Sequence, residues 1–142
     1  MPAALSYRRQ VEADSCLNTP PTLAIHLAGL VFDWIAECGG LAAMGAANRR
    51  KAATVYAAID GSGGFYRAPV AAAHRSPVNI RFHLGDEGLT EPFVAEAAAH
   101  GLHNLRGHRQ VGGLRASLYN AMPQAGADAL AGFMADFARR RG

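Results

Sequence analysis

The chain has 142 residues, half of them hydrophobic, which suits a single core that buries about 68 to 70% of the unfolded surface and leaves too little for two full domains. Its formal charge of +3 and pI near 9.2 invite a nucleic-acid reading, but the arginines are dispersed and no aromatic residues interleave with them as a base-stacking platform requires. Cys16 and Cys38 lack metal-ligand or redox spacing and the six histidines form no metal pair, so no metal is expected; with no membrane-length apolar run and no signal-peptide pattern, a soluble protein of the reducing cytoplasm is expected.

In chain order, residues 1–17 are polar and irregular and read as a loose tail, with order beginning near Asn18. Leu23, Leu27, Leu30, Val31, Trp34 and Ile35 recur at three and four residues and predict a helix with one apolar stripe, ended by Gly39-Gly40. An alanine-rich helix is expected from Leu41 to Ile59. Within it, Asn48-Arg49-Arg50-Lys51 reads as a solvated basic face. Gly61-Ser62-Gly63-Gly64 lacks the lysine of a phosphate-binding loop and reads as a plain turn.

A strand is expected over Asn79 to Leu84, a helix opened by Thr90 over Glu91 to His100, and a strand over Leu114 to Tyr119 with Leu114, Ala116 and Leu118 facing the core. The last helix gathers Ala127, Leu130, Phe133, Met134 and Phe137 on one face and ends in Arg139-Arg140-Arg141, charges that suit a helix C-terminus and need no ligand. Helices mixed with a few strands, without a repeated strand-helix-strand unit, predict an α+β fold with helices on one face of a small, mostly antiparallel sheet.

The stretch from Gly107 through Ser117 carries the strongest chemical signal. It sets His108, Arg109 and Arg115 around Gly112-Gly113. Arginine presents a planar fork that matches a carboxylate or phosphate, and histidine adds a titratable donor. Extended, the step from Arg109 to Arg115 spans roughly 20 Å, so one small dianion reaches both only if the glycine pair turns the chain. Solvated arginines beside a turn account for the local pattern equally well.

The run Gly107-His108-Arg109, then Val111-Gly112-Gly113-Leu114-Arg115-Ala116-Ser117-Leu118-Tyr119-Asn120-Ala121-Met122-Pro123, resembles the phosphoserine aminotransferase family of class V pyridoxal-phosphate enzymes. Asn18-Thr19-Pro20-Pro21-Thr22 with the apolar helix after it, Gly39-Gly40-Leu41, Phe65-Tyr66-Arg67, Asn79 with Phe82, and the ending from Phe133 to Arg140 extend the resemblance over nearly the whole chain. It maps only to the C-terminal part of family members. His26 at a common aromatic position, Arg81 in place of a usual proline, and a Gly61–Gly64 loop about one residue longer depart from the pattern without touching His108, Arg109 or Arg115.

The resemblance implies the small C-terminal domain of a fold-type I aminotransferase over residues 18–142, preceded by residues 1–17 as a tail from the junction with a large domain. It implies amino transfer between glutamate and 3-phosphohydroxypyruvate, in serine biosynthesis and in some organisms pyridoxine biosynthesis, by a cytoplasmic homodimer. In that reading His108 and Arg109 bind the substrate phosphate and Arg115 its α-carboxylate. Asn18 and Thr19 reach the phosphate of pyridoxal phosphate in the neighbouring subunit. From the residues alone, Thr19 reads as an N-cap with Pro20 at the first helical position, a common helix start that needs no ligand.

The family holds its cofactor as a Schiff base to a lysine. Lys51 is this chain's one lysine and does not stand at the catalytic position. The resemblance thus implies a fragment, inactive by itself, with an apolar or sticky face where the small domain meets the large one. The alternative is a catalytically inactive anion-binding or interaction module that needs a separately encoded large domain.

Overall fold

The computed structural model describes residues 2–142. The chain forms two compact units, one ending at Gly40 and the other spanning Leu41–Gly142.

The first unit opens with a 3-10 turn at Ala3–Leu5 and a short helix, α1 (Tyr7–Glu12). The stretch expected to be irregular is therefore helical over six residues. Ser6 caps it, its Oγ accepting from the Arg9 amide, and Arg8 and Glu12 face each other one turn apart. Asp14 and Ser15 then take left-handed φ values of 47° and 63° and end the helix.

Helix α2 (Thr22–Glu37) follows. Its stripe recurs as the spacing demands, yet the helix buries no residue, and Leu23, Leu27, Leu30, Val31 and Trp34 are all exposed. The helix ends at the predicted glycine pair, where Gly39 and Gly40 adopt positive φ.

In the second unit, helix α3 (Gly40–Asp60) turns Ala52, Val55 and Ile59 into the core. A glycine turn leads to β1 (Tyr66–Arg67), a strand the sequence reading did not separate from its loop. Strand β2 (Asn79–Leu84), helix α4 (Thr90–Ala99), strand β3 (Leu114–Ser117) and helix α5 (Gln124–Arg141) complete the unit within a few residues of their expected limits.

The three strands order as β1-β2-β3, both pairings antiparallel, with Tyr66 opposite Leu84 and Asn79 opposite Ser117. Alternation puts Ile80, Phe82, Leu84, Leu114 and Ala116 on the inner face. Against them pack Val55 and Ile59 of α3, Phe93 and Ala97 of α4, and Ala127, Leu130, Phe133, Met134 and Phe137 of α5. The helices thus lie on one face of the sheet, and the fold is α+β as expected.

Edge-to-face contacts chain Phe65, Tyr66, Phe82, Phe93 and Phe137, which fixes ring orientations beyond simple burial. The Tyr66 hydroxyl donates to the Met134 carbonyl at 2.9 Å, and burial pushes its phenol well above the usual tyrosine range. At the end of α5, Arg140 and Arg141 both hold Glu96 of α4, and Arg140 also meets Asp136. The terminal arginines therefore hold acidic side chains and need no ligand.

Candidate functional site

Backbone pairing closes the loop that carries His108 and Arg109. Arg106 bridges Leu114, the Gly107 amide donates to the Gly113 carbonyl at 2.8 Å, and the Arg115 amide donates to the Leu105 carbonyl at 2.8 Å. Only glycine fits at the neck, because a Cβ on Gly107 would lie 2.2 Å from the Gly112 oxygen. Gly112 and Gly113 turn the chain with φ of 68° and 66°, the turn that the glycine pair permits.

Inside the loop the His108 carbonyl accepts from the amides of Val111 at 2.9 Å and Gly112 at 2.8 Å. The Gln110 amide donates to His108 Nδ1 at 3.3 Å. His108 and Arg109 both stand exposed at the loop tip. The local fold presents two donors to solvent and spends neither on a structural ion pair among the described residues.

Arg115 follows two residues after the neck, on β3, half-buried and pointing away from Leu114 and Ala116. Its Nε is buried with no hydrogen-bond partner among the described residues. A buried cationic donor without an acceptor is costly. Arg115 lines a cavity of about 460 Å³ together with His103, Asn104, Ser117, Tyr119 and Met122. His108 and Arg109 stand at the tip of the adjoining loop and do not line it.

The cavity exists because the strand-like segment before the loop pairs with β3 only at Leu114 and Arg115 and then diverges. Its wall residues His103 and Asn104 escaped the sequence reading. Asn104, at φ 61°, is a polar residue in the left-handed region, and that turn propensity of asparagine was the available signal.

Lys51 contradicts the solvated-face expectation. Arg49 and Arg50 are exposed, but Lys51 is only 2% exposed, and its Nζ donates to the carbonyls of Tyr119 at 2.7 Å and Met122 at 2.9 Å. Asn48, one turn earlier, donates to Asn120 Oδ1 at 2.8 Å. Burial lowers the Lys51 pKa below its ordinary value. The helical spacing Met44, Asn48, Lys51, Val55, Ile59 marks this face as inward, and the neighbouring arginines masked it. Two polar side chains of α3 thereby fix the turn that supplies Tyr119 and Met122 to the cavity.

Asn18 and Thr19 lie in exposed, irregular backbone ahead of α2. Pro21 occupies the N-cap position and no side chain caps the helix, so Thr19 is not the cap with Pro20 at the first helical position.

The model of the class-V aminotransferases matches residues 3–130. The chain belongs to the class-V aminotransferase family. It is 61% identical over 136 residues to the phosphoserine aminotransferase of Stenotrophomonas maltophilia and 51% identical over 138 residues to that of Acidithiobacillus ferrooxidans. These matches cover 96% and 97% of this chain but 38% of each relative, so the chain spans well under half the length of the curated family members it matches.

Solved structures agree. Phosphoserine aminotransferase from Bacillus circulans superimposes with a TM-score of 0.93 at 47% identity, covering 100% of this chain and 39% of that one. A pyridoxal-phosphate-bound phosphoserine aminotransferase from Trichomonas vaginalis gives 0.85 at 41% identity, covering 95% and 39%. The small, open antiparallel sheet with its helices is thus a part of the aminotransferase architecture.

The residues present fit a pyridoxal-phosphate enzyme only in part. Asn18 and Thr19 are exposed polar side chains, whereas the one lysine is buried and bonded to two backbone carbonyls. Lys51 cannot serve as a covalent anchor without dismantling that turn.

Proposed function

We propose that the chain supplies the substrate-anion half of a phosphoserine aminotransferase site. The observation that carries this reading is Arg115, its buried Nε without an acceptor on a cavity wall, two residues beyond a glycine-necked loop that presents His108 and Arg109. His108 and Arg109 read the phosphate of the substrate. Arg115 orients its α-carboxylate, which matches the fork geometry of a guanidinium. Asn18 and Thr19 donate to the cofactor phosphate in the neighbouring subunit of a homodimer.

The reaction served is amino transfer between glutamate and 3-phosphohydroxypyruvate, within serine biosynthesis in the cytoplasm. Exposed free thiols at Cys16 and Cys38 suit that reducing compartment. When bound, pyridoxal phosphate supplies the carbonyl chemistry that carries the amino group. This chain's part is to bind and orient the two acidic ends of the substrate. With Lys51 committed to the Tyr119–Met122 turn, the 142-residue chain is expected to be inactive alone.

A chimaera tests the assignment: this chain replaces the matching part of the Stenotrophomonas maltophilia enzyme, and steady-state kinetics are measured with phosphoserine. Arg109→Ala is expected to raise KM by about tenfold or more with a smaller change in kcat, the scale of a lost charge-assisted hydrogen bond. Arg115→Lys is expected to lower kcat/KM because the bidentate geometry is lost. An unchanged KM for Arg109→Ala would contradict the phosphate assignment.

A further inference from the structure

Among the described residues that line the cavity beside β3, His103 and Arg115 are the two that can carry positive charge, Tyr119 is the third that titrates, and none is acidic. The wall contributed by α5, at Gly126 and Leu130, bears no charge. Arg106, on the segment that carries His103, is held by both oxygens of Glu91. Arg81 lies across from Arg115 in register but lines a separate hollow with Tyr56, His74 and Arg75. None of the ion pairs among the described residues involves His103 or Arg115.

Strand geometry adds a third donor. The Leu118 amide donates to the Val78 carbonyl at 2.7 Å, and the register that sets Asn79 opposite Ser117 continues to set Val78 opposite Leu118. Hydrogen-bonded and non-hydrogen-bonded pairs alternate along an antiparallel ladder, so Arg115 and Ser117 turn their amides and carbonyls away from β2. On that side the Arg115 amide meets the Leu105 carbonyl. The chain then leaves β3 at Asn104, with φ of 61°, and the Ser117 amide faces the cavity that this opens. A guanidinium, a backbone amide and an imidazole thus border one cavity that holds no carboxylate of its own. Were it round, a cavity of about 460 Å³ would be about 10 Å across, one Debye length at about 0.1 M salt, so a charge on one wall acts on an anion at another.

We propose that His103 is the second cation of this cavity, strengthening the hold of Arg115 on a substrate carboxylate when protonated and withdrawing that increment when neutral. The proposal rests on the reading that Arg115 meets that carboxylate. Histidine is the side chain whose charge changes between about pH 5 and 8, whereas arginine stays charged throughout. Arg115 therefore gives the cavity a constant attraction, and His103 gives it a part that follows pH. A carboxylate has about four lone-pair sites and accepts from several donors at once.

The test uses the whole 142-residue chain in low-salt buffer, with L-glutamate as the probe and NMR titration as the readout of affinity. The two carboxylates of the probe stay ionised from about pH 5.5 to about pH 8. H108Q is the parent chain for every variant, so that His108 does not titrate beside His103. The parent is expected to lose about fivefold in affinity as pH rises across that range, the scale of one solvent-screened charge contact. H103Q is expected to bind at the weaker level at both ends of the range, and H103K at the tighter level at both. His103 is exposed, so these variants leave the core intact. An unchanged pH dependence in H103Q, or an H103Q chain that binds as tightly as its parent at about pH 5.5, overturns the proposal. If R115Q weakens binding while H103Q does not, the Arg115 reading stands and the role of His103 fails. Equal affinity in R115Q and its parent, or no saturable binding by the wild type, overturns both.

Discussion

Helices α2 and α5 carry the same kind of sequence signal and meet opposite fates. Each has apolar residues recurring at three and four positions. In α5 the stripe Ala127, Leu130, Phe133, Met134, Phe137 is buried against the sheet, whereas in α2 no residue is buried and Leu23, Leu27, Leu30, Val31, Phe32 and Trp34 stay exposed. Periodicity states which face wants a partner, and the supply of a partner is a tertiary fact. The α5 stripe finds the sheet and α4 inside its own unit, while that of α2 stays open to solvent.

The sharpest way to break this contrast is to damage the closed side. Phe93 is fully buried among aromatic rings, and Phe93→Ala is expected to cost about 3 to 5 kcal/mol in urea unfolding. A loss below ~1 kcal/mol would mean that the second unit is not the packed core described.

Lys51 comes next. Lys51→Met strands two carbonyls of the Tyr119–Met122 turn and is expected to cost about 1 to 3 kcal/mol. Burial depresses the Lys51 pKa, so between that lowered value and the ordinary 10.5 the unfolded chain holds more protons than the folded one, and the wild type gains stability as pH rises through the window. Below the folded pKa that contribution is lost. Lys51→Met should abolish the rise, as chemical unfolding across alkaline pH would show.

A smaller effect is expected where charge meets solvent. Arg75 grips Asp60 with both terminal nitrogens, at 2.6 and 2.9 Å, and holds its carboxyl below the usual aspartate value. Asp60 is mostly exposed, so Asp60→Asn is expected to cost less than about 1 kcal/mol. The pair's contribution is complete above pH 3.8 and fades as pH falls through the lowered folded value, which acid titration of the two proteins would resolve.

The smallest change in stability belongs to the open helix. Leu27→Ser with Leu30→Ser in α2 is expected to move folding free energy by less than about 0.5 kcal/mol while reducing self-association of the chain in sedimentation. A large loss of stability would show that α2 is covered within the molecule, which would erase the contrast with α5.

Much of the fold was legible because its signals are local. The alternation around β2 and β3 and the stripe of α5 name their buried residues without knowledge of what packs there. Strand β1 was not legible, since Tyr66–Arg67 is too short to alternate and exists only because β2 pairs with it. Helix α1 rests on a serine cap and one charged pair, signals weaker than the polar composition that hid them.

At the site, the turn through Gly112-Gly113 was legible as a possibility because glycine permits positive φ, and the exposed position of His108 and Arg109 at the tip comes from the structure. The unpartnered Arg115 Nε and the opposition of Arg81 to Arg115 were not, because both depend on strand register. Lys51 was misassigned for a related reason. A run of three basic residues looks like one solvated surface, but a helix turns each by about 100°, and the third faces inward.

The central claim is that His108, Arg109 and Arg115 form one anion-binding constellation. Its most direct test is residue-resolved NMR of the whole chain titrated with O-phospho-L-serine. The account predicts saturable shifts at His108, Arg109 and the Arg115 side chain, with binding weakened about tenfold or more in Arg115→Gln, the scale of a lost charge-assisted pair. Saturable binding that leaves Arg115 unmoved, or equal affinity in Arg115→Gln, would contradict it.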